Sequence, residues 1–232
     1  MKTSAKQIFE SIQKQPHSIC VFDLDSTLFN VSPRTEKILH EFAVTHQQID
    51  LLKIKIPLTD WGIFESLSRE GYTIDTHEEL HSKLKKEWKK KFFSNEYLHY
   101  DTPYPGAVFF VQKLNQLKYK IKYLTGRDVE RMSLGTGIVL DKWGFPSLPE
   151  MIHLKPHKDM NDEYFKLDWL KDLASKNQQS KIFFFENEPV NINLVGKHMP
   201  DVQLIYLDTT HSRAEKVNVP HLEISQFQMD LE

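Results

Sequence analysis

With one cysteine, Cys20, in 232 residues, the chain has no means of forming an internal disulfide, which excludes a disulfide-built scaffold. That thiol lies inside an apolar run, where a buried cysteine is packing. No apolar run approaches the ~18 residues of a membrane span. The opening MKTSAKQIFESIQKQPHS lacks the apolar stretch of a signal peptide, so a cytoplasmic protein with no membrane partner is expected. An excess of one charge is missing too. The chain has 30 basic and 32 acidic residues, a net charge of −2, so bulk charge points to neither nucleic acid nor a membrane surface. The eleven histidines show no zinc-ligand spacing. No GxxxxGK[ST] occurs, and GTG at 135–137 falls in a helical region, so neither a P-loop nor a dinucleotide fingerprint is present. There is no internal repeat.

What is present suffices for a core: 40% hydrophobic residues, 12% aromatic. Five short apolar runs predict strands at 18–22, 120–124, 150–154, 181–185 and 203–207. Between the later runs, Phe110, Val111, Leu114 and Leu117 mark one helical stripe, and Phe165, Trp169, Leu170 and Leu173 another. This alternation predicts an α/β fold, a doubly wound and mainly parallel sheet. Almost 100 residues separate the first two runs, too many for a plain crossover, so an inserted element is expected there. It reads as helical, with Ser32-Pro33 as helix start and Leu80, Leu84, Trp88 and Phe92 recurring every four residues. The expected division is a core of 1–30 and 101–232 with a helical cap at 31–100. KLKKEWKKK at 83–91 reads as a solvated helix face, or else as a basic wall drawing in an anionic substrate.

The stretch SICVFDLDSTLFN, residues 18–30, poses a question. Its apolar run ends in Asp23 and Asp25, which a continued strand would point the same way, roughly 6–7 Å apart. A shared cation is one way to offset their repulsion. Each other run also stops at a polar residue: Thr125, Lys155, Glu186 and Asp208. Ligands of an open parallel sheet bind beyond the carboxyl ends of its strands. Two acids, a hydroxyl, a lysine and a further acid there fit phosphoryl transfer through an aspartyl phosphate. Mg²⁺ would offset the charge, and Thr125 with the amides around Gly126 would receive phosphoryl oxygens.

DLDST at 23–27 resembles the first motif, DxDx[TV], of the haloacid dehalogenase superfamily. YLTGRD at 123–128 resembles its second motif, and FFFENEPVN at 183–191 its acidic fourth. The resemblance implies a phosphohydrolase with a C1-type helical cap enclosing a small phosphorylated substrate. It implies Asp23 as nucleophile and Asp25 as general acid and then base, its backbone carbonyl on the metal. Thr125 and Gly126 would bind the phosphoryl group, and Arg127 would lie near the substrate. The implied Mg²⁺ ligands are Asp23, Asp25, Glu186 and Asn187. Asn187 stands where an acid is usual, which lowers the expected metal affinity, with Glu188 available to compensate and Asn191 at the motif's last position.

The third motif's lysine has two candidates. Lys155, followed by Pro156, looks like the family's Lys-Pro form. Lys166, which follows the Asn161-Asp162 cap, looks like the helix-borne form of a branch that includes polynucleotide 3′-phosphatases; it is preferred, with Lys158 a distant third. The expected function is hydrolysis of a small phosphomonoester. The rivals are a nucleic-acid 3′-end phosphatase, a phosphotransferase, and a catalytically weak phosphate-binding or signalling protein. The sequence leaves substrate and oligomeric state open.

Overall fold

The computed structural model describes residues 2–229. In chain order the elements are α1 (Ala5–Gln13), β1 (Ile19–Phe22), β2 (Phe29–Asn30), α2 (Ser32–Thr45), α3 (Ile63–Arg69), α4 (Glu78–Phe92), β3 (Thr102–Pro103), α5 (Ala107–Gln116) and β4 (Lys120–Asp128). There follow α6 (Val129–Trp143), β5 (Ile152–Lys155), α7 (Asp162–Lys176), β6 (Ile182–Glu186), α8 (Pro189–His198), β7 (Gln203–Leu207) and β8 (Leu222–Ile224). Six strands form one sheet in the order β5-β4-β1-β6-β7-β8, every neighbouring pair parallel. The fold is therefore the expected α/β doubly wound sheet.

β1 explains why the sheet needs helices on both faces. All four of its residues are buried, and alternation sends them to opposite sides. Cys20 and Phe22 join a cluster with Ile8, Phe110, Val111, Met132 and Val139, from α1, α5 and α6. Ile19 and Val21 join Leu167, Leu170, Ile192 and Val195, from α7 and α8. Because all strands run the same way, their carboxyl ends share one edge, and the polar residues that follow them are gathered there.

Helices α2, α3 and α4 lie in the chain between β1 and the next strand of the main sheet. They pack on a third apolar cluster of Leu39, Phe42, Leu51, Ile63, Leu67 and Leu84. The two-stranded pairing of β2 with β3 closes this segment at its base.

Three sequence expectations need correction. Val31, not Ser32, occupies the position before α2; the Ser32 hydroxyl instead donates to the Pro57 carbonyl at 3.3 Å. Leu117 lies beyond α5 and is exposed, because the helix ends at Gln116. The sheet also has a sixth strand, β8, too short for its alternation to register in the sequence.

Candidate active site

β1 ends at Phe22, and the backbone N–H of Asp23 donates to the Phe185 carbonyl at 2.9 Å, which sets Asp23 beside the end of β6. Across from it the second turn of α7 supplies Lys166. Its ammonium donates to Asp23 Oδ1 and to Glu186 Oε2, each at 2.7 Å. All three residues are buried. Burial, with the Glu186 charge adding to it and Lys166 opposing, pushes the Asp23 carboxyl up to about 7. Burial also opposes the charge on Lys166, but Asp23 and Glu186 outweigh it and hold the ammonium protonated.

Asp25 lies past the end of β1, so strand alternation does not set its direction, and its hydrogen-bond partners differ from those of Asp23. The strand stops before it, and the chain folds into a tight turn in which the N–H groups of Thr27, Leu28 and Phe29 all donate to the Leu24 carbonyl. Ser26 takes a left-handed φ of 59° within this turn. The two carboxylates therefore have separate cations. Asp25 Oδ1 accepts from Arg34 Nη2 at 2.7 Å and Arg127 Nη2 at 2.6 Å, and Oδ2 accepts from Arg127 Nε at 3.1 Å. Burial opposes ionisation of Asp25, yet the two guanidinium groups prevail and hold its carboxyl well below the usual carboxylate range.

Behind Asp25, Asp101 binds both arginines, Arg127 Nη2 at 2.8 Å and Arg34 Nε at 3.0 Å. The side chains of Arg34, Arg127 and Asp101 are fully buried, whereas that of Asp25 is 30% exposed. Of this neutral quartet only Asp25 reaches solvent. Arg34 and Asp101 were not among the residues the sequence singled out. Nothing around SPRTEK or HYDTP marks a partner 67 positions away along the chain.

Thr125 is buried at the end of the regular part of β4, and its hydroxyl accepts the Arg127 N–H at 3.3 Å. The register with β5 shifts between Thr125 and Asp128, a bulge that frees Gly126 and Arg127 from the ladder. A Cβ at Gly126 would lie 2.5 Å from Asp162 Oδ2, so any larger residue there would displace the Asp162 side chain. Lys155 does not join Asp23. Its ammonium donates to the carbonyls of Lys158 (3.3 Å) and Met160 (3.0 Å) and pairs with Asp162. Lys158 is exposed.

In the fourth motif, Glu186 Oε1 accepts the N–H groups of Asn187 and Glu188, each at 3.0 Å, and Oε2 accepts Asn191 Nδ2 at 3.0 Å as well as Lys166. Asn187 spends both ends of its amide. Oδ1 accepts the Thr27 hydroxyl at 3.0 Å, and Nδ2 donates to the Thr210 carbonyl at 2.7 Å. Glu188 accepts from Ser212 through N–H and hydroxyl. Thr209 and Thr210 bond Ser26 in turn, so the segment after β7 ties the first motif to the fourth. These tethers were also missed: DTTHS carries no signal beyond its polar residues.

Hard-oxygen donors for a divalent cation remain at this edge. Among the described residues Asp23 Oδ2 receives no hydrogen bond, and the buried Asn191 Oδ1 has no partner. Carboxylate and amide oxygens suit Mg²⁺. No group of three or more His, Cys, Asp or Glu among the described residues is arranged around one ion position. A groove of about 320 Å³ on α7, lined by Met160, Asn161, Tyr164, Phe165, Asp168 and Trp169, includes none of the strand-end residues. No helix of the described residues is long and apolar enough to cross a membrane.

A doubly wound parallel sheet with acids, a lysine and a hydroxyl gathered at its carboxyl edge defines a class, the doubly wound α/β proteins whose functional residues stand at the strand ends. The chain belongs to the haloacid dehalogenase-like hydrolase family, whose model matches residues 17–157. Solved structures agree on the fold. A candidate phosphatase of Clostridium difficile superposes with a TM-score of 0.55 at 12% identity, covering 90% of this chain and 94% of that one. A predicted phosphatase of Clostridium acetobutylicum gives 0.52 at 13%, covering 90% and 94%. CbbY of Rhodobacter sphaeroides, in complex with phosphate, gives 0.50 at 12%, again covering 90% and 94%. No curated protein matches the chain.

Proposed function

We propose that this protein is a Mg²⁺-dependent phosphatase that hydrolyses a small phosphomonoester through an aspartyl phosphate on Asp23, with residues 31–100 as a helical cap over a core of 1–30 and 101–232. The observation that carries the reading is Lys166 Nζ at 2.7 Å from both Asp23 Oδ1 and Glu186 Oε2. A buried ammonium there offsets the charge on the nucleophile and on an incoming phosphate, while one of its three N–H groups remains for a phosphoryl oxygen. Lys166 thus takes the third-motif role.

In the first half-reaction an Asp23 oxygen attacks phosphorus and the bond to the leaving oxygen breaks; a good leaving group departs as the anion, and a poor one needs a proton that Asp25, held ionised by Arg34 and Arg127, must first take from solvent. In the second, water attacks the same phosphorus and gives a proton to Asp25, the bond to Asp23 breaks, and phosphate departs. Thr125 and the amide of Gly126 receive phosphoryl oxygens. Mg²⁺ held by Asp23 and the Asp25 carbonyl, with Glu186 joining by releasing one of the hydrogen bonds its two oxygens accept, would reduce repulsion between the carboxylate and the phosphate. Asn187 would join only by giving up Thr27 or Thr210. Arg34 and Arg127 favour ionised Asp25, so leaving groups needing little protonation are the easiest, and an aryl phosphate is the substrate for a first assay.

Turnover of p-nitrophenyl phosphate is expected with Mg²⁺, and neither with EDTA nor in Asp23→Asn. Equal rates for Asp23→Asn and the wild type would remove the nucleophile. Phosphate binding without turnover would favour the catalytically weak binding protein. A second reading, a nucleic-acid 3′-end phosphatase, draws support from the helix-borne Lys166. A panel of sugar phosphates, nucleotides and 3′-phosphorylated oligonucleotides separates the two, and a free acceptor hydroxyl in the assay exposes a phosphotransferase.

A further inference from the structure

Lys155 ends β5 within reach of the same edge as Asp23, yet its three N–H donors meet three acceptors elsewhere. These are the Lys158 carbonyl at 3.3 Å, the Met160 carbonyl at 3.0 Å, and the Asp162 carboxylate. None is left for a phosphate unless the connection to α7 is undone. That connection is otherwise lightly held: all six residues from Pro156 to Asn161 are exposed, Met160 only edges the groove on α7, and the remaining ties are His157 3.3 Å from Glu130 and the Asn161 side chain capping α7. The Lys155 side chain, by contrast, is only 8% exposed. Asp162 is the first residue of α7, and its carboxylate lies against Gly126 so closely that a Cβ there would clash. Lys166 follows four residues later on the same helix, about 6 Å further along the axis.

We propose that Lys155 is a positioning residue: together with Asp162 it fastens the start of α7 to the end of β5 and to Gly126, and so sets where Lys166 stands over Asp23. The inference rests on the reading that Lys166 serves the Asp23 nucleophile. The two lysines then share one task, one touching the reacting carboxylate and the other fixing the helix that carries it. A displacement of the α7 start would be passed along a rigid helix to the Lys166 ammonium, and a misplacement of about 1 Å at a reacting group can cost on the order of a hundredfold in rate.

The test compares Lys155→Met, Lys155→Arg, Asp162→Asn and the double variant Lys155→Met/Asp162→Asn. For p-nitrophenyl phosphate with Mg²⁺, Lys155→Met is expected to lower kcat about tenfold with KM held within about twofold. Lys155→Arg, which keeps the charge facing Asp162 and guards against a fold too weak to assay, should recover part of that loss. The double variant should be no slower than Lys155→Met, since both changes cut one connection. Independently of turnover, amide hydrogen exchange across 161–166 should quicken in Lys155→Met while that of β1 stays unchanged. Unchanged kcat, a raised KM with intact kcat, or multiplying losses in the double variant would each overturn the proposal. A wild type without phosphatase activity would sink the function reading instead. The exchange measurement then decides on Lys155, and unchanged exchange across 161–166 overturns its role.

Discussion

Arg127 meets Asp25 through two nitrogens, Nε at 3.1 Å and Nη2 at 2.6 Å, and Arg34 of helix α2 reaches the same carboxylate at 2.7 Å. The first motif, the second motif and the helical insert are thereby joined at one side chain. Asp101, behind them, is buried with both arginines as its cations, and burial still pushes its carboxyl up to about 6. Replacing Arg34 by Met would leave Asp101 with Arg127 alone. Breaking a buried ion pair from one side typically costs about 3–5 kcal/mol. Arg34→Met should lose about that much near pH 8 in urea unfolding. The sign with pH follows from the raised carboxyl. Without the Arg34 charge the Asp101 carboxyl is pushed up further, so the variant takes its proton at a higher pH than the wild type; the deficit should shrink as the pH is lowered toward 6 and level off below it, where both carry the proton.

The strand ends were legible because each apolar run stops abruptly, and in a parallel sheet stopping places coincide in space. Asp23, Thr125, Lys155 and Glu186 could therefore be named together. The sequence preferred Lys166 over Lys155 only through the helix-borne resemblance, since the two are eleven positions apart on either side of one loop and both lie near the same edge. The acceptors around each ammonium add the physical distinction. That Asp23 and Asp25 take separate cations was hidden for a related reason. Period-2 alternation holds only while a strand lasts, and β1 ends at Phe22. Arg34 and Asp101 escaped notice because an arginine on a helix and an aspartate before a strand read as surface residues until their partners are known.

An acidic limb in kcat/KM is expected from Asp23. Its carboxyl is pushed up to about 7 by burial and by Glu186, against the pull of Lys166, and the protonated form cannot attack phosphorus. The rate should therefore rise with pH to near 7 and then level off. Mg²⁺ competes with the proton for the same carboxylate, so raising its concentration should move the limb to lower pH. A limb whose midpoint is the same at low and saturating Mg²⁺ would show that metal and proton do not share Asp23.

His153, on β5, gives a stability prediction remote from turnover. Its Nε2 is buried with no hydrogen-bond partner among the described residues, and the ring lies 4.4 Å from that of Trp169. Burial, helped by the Lys122 charge, lowers the imidazole from 6.5 to about 4. Between these values the unfolded chain binds a proton that the folded chain does not, so stability falls as pH drops from 6.5 to 4 and is flat below. The ring is partly exposed, and solvent screening reduces the effect to on the order of 1 kcal/mol. His153→Gln should flatten the acid side of the stability profile by that amount, read by urea unfolding at pH 7 and 4.5. An unchanged slope would assign the acid sensitivity to other groups.

Asn187 stands where the family resemblance leads one to expect an acid, and its amide holds the Thr27 hydroxyl at 3.0 Å and the Thr210 carbonyl at 2.7 Å. Asn187→Asp would set two effects against each other. The added carboxylate supplies a charged hard-oxygen donor beside Asp23, which should lower the Mg²⁺ concentration needed for half-maximal rate. It also removes the N–H group that Thr210 accepts, and confronts that buried carbonyl with a carboxylate oxygen. Loss of a buried hydrogen bond that leaves its acceptor unpaired costs about 1–3 kcal/mol, so the melting temperature should fall in the absence of Mg²⁺. Adding Mg²⁺ should then raise the melting temperature further in the variant than in the wild type, because a ligand that binds only the folded state stabilises it in proportion to its affinity. Equal Mg²⁺-induced shifts in the two proteins would mean that position 187 lies outside the metal's reach. In that case Asn187 serves as the tether between the first motif and the segment after β7, and the metal depends on Asp23 and Glu186 without it.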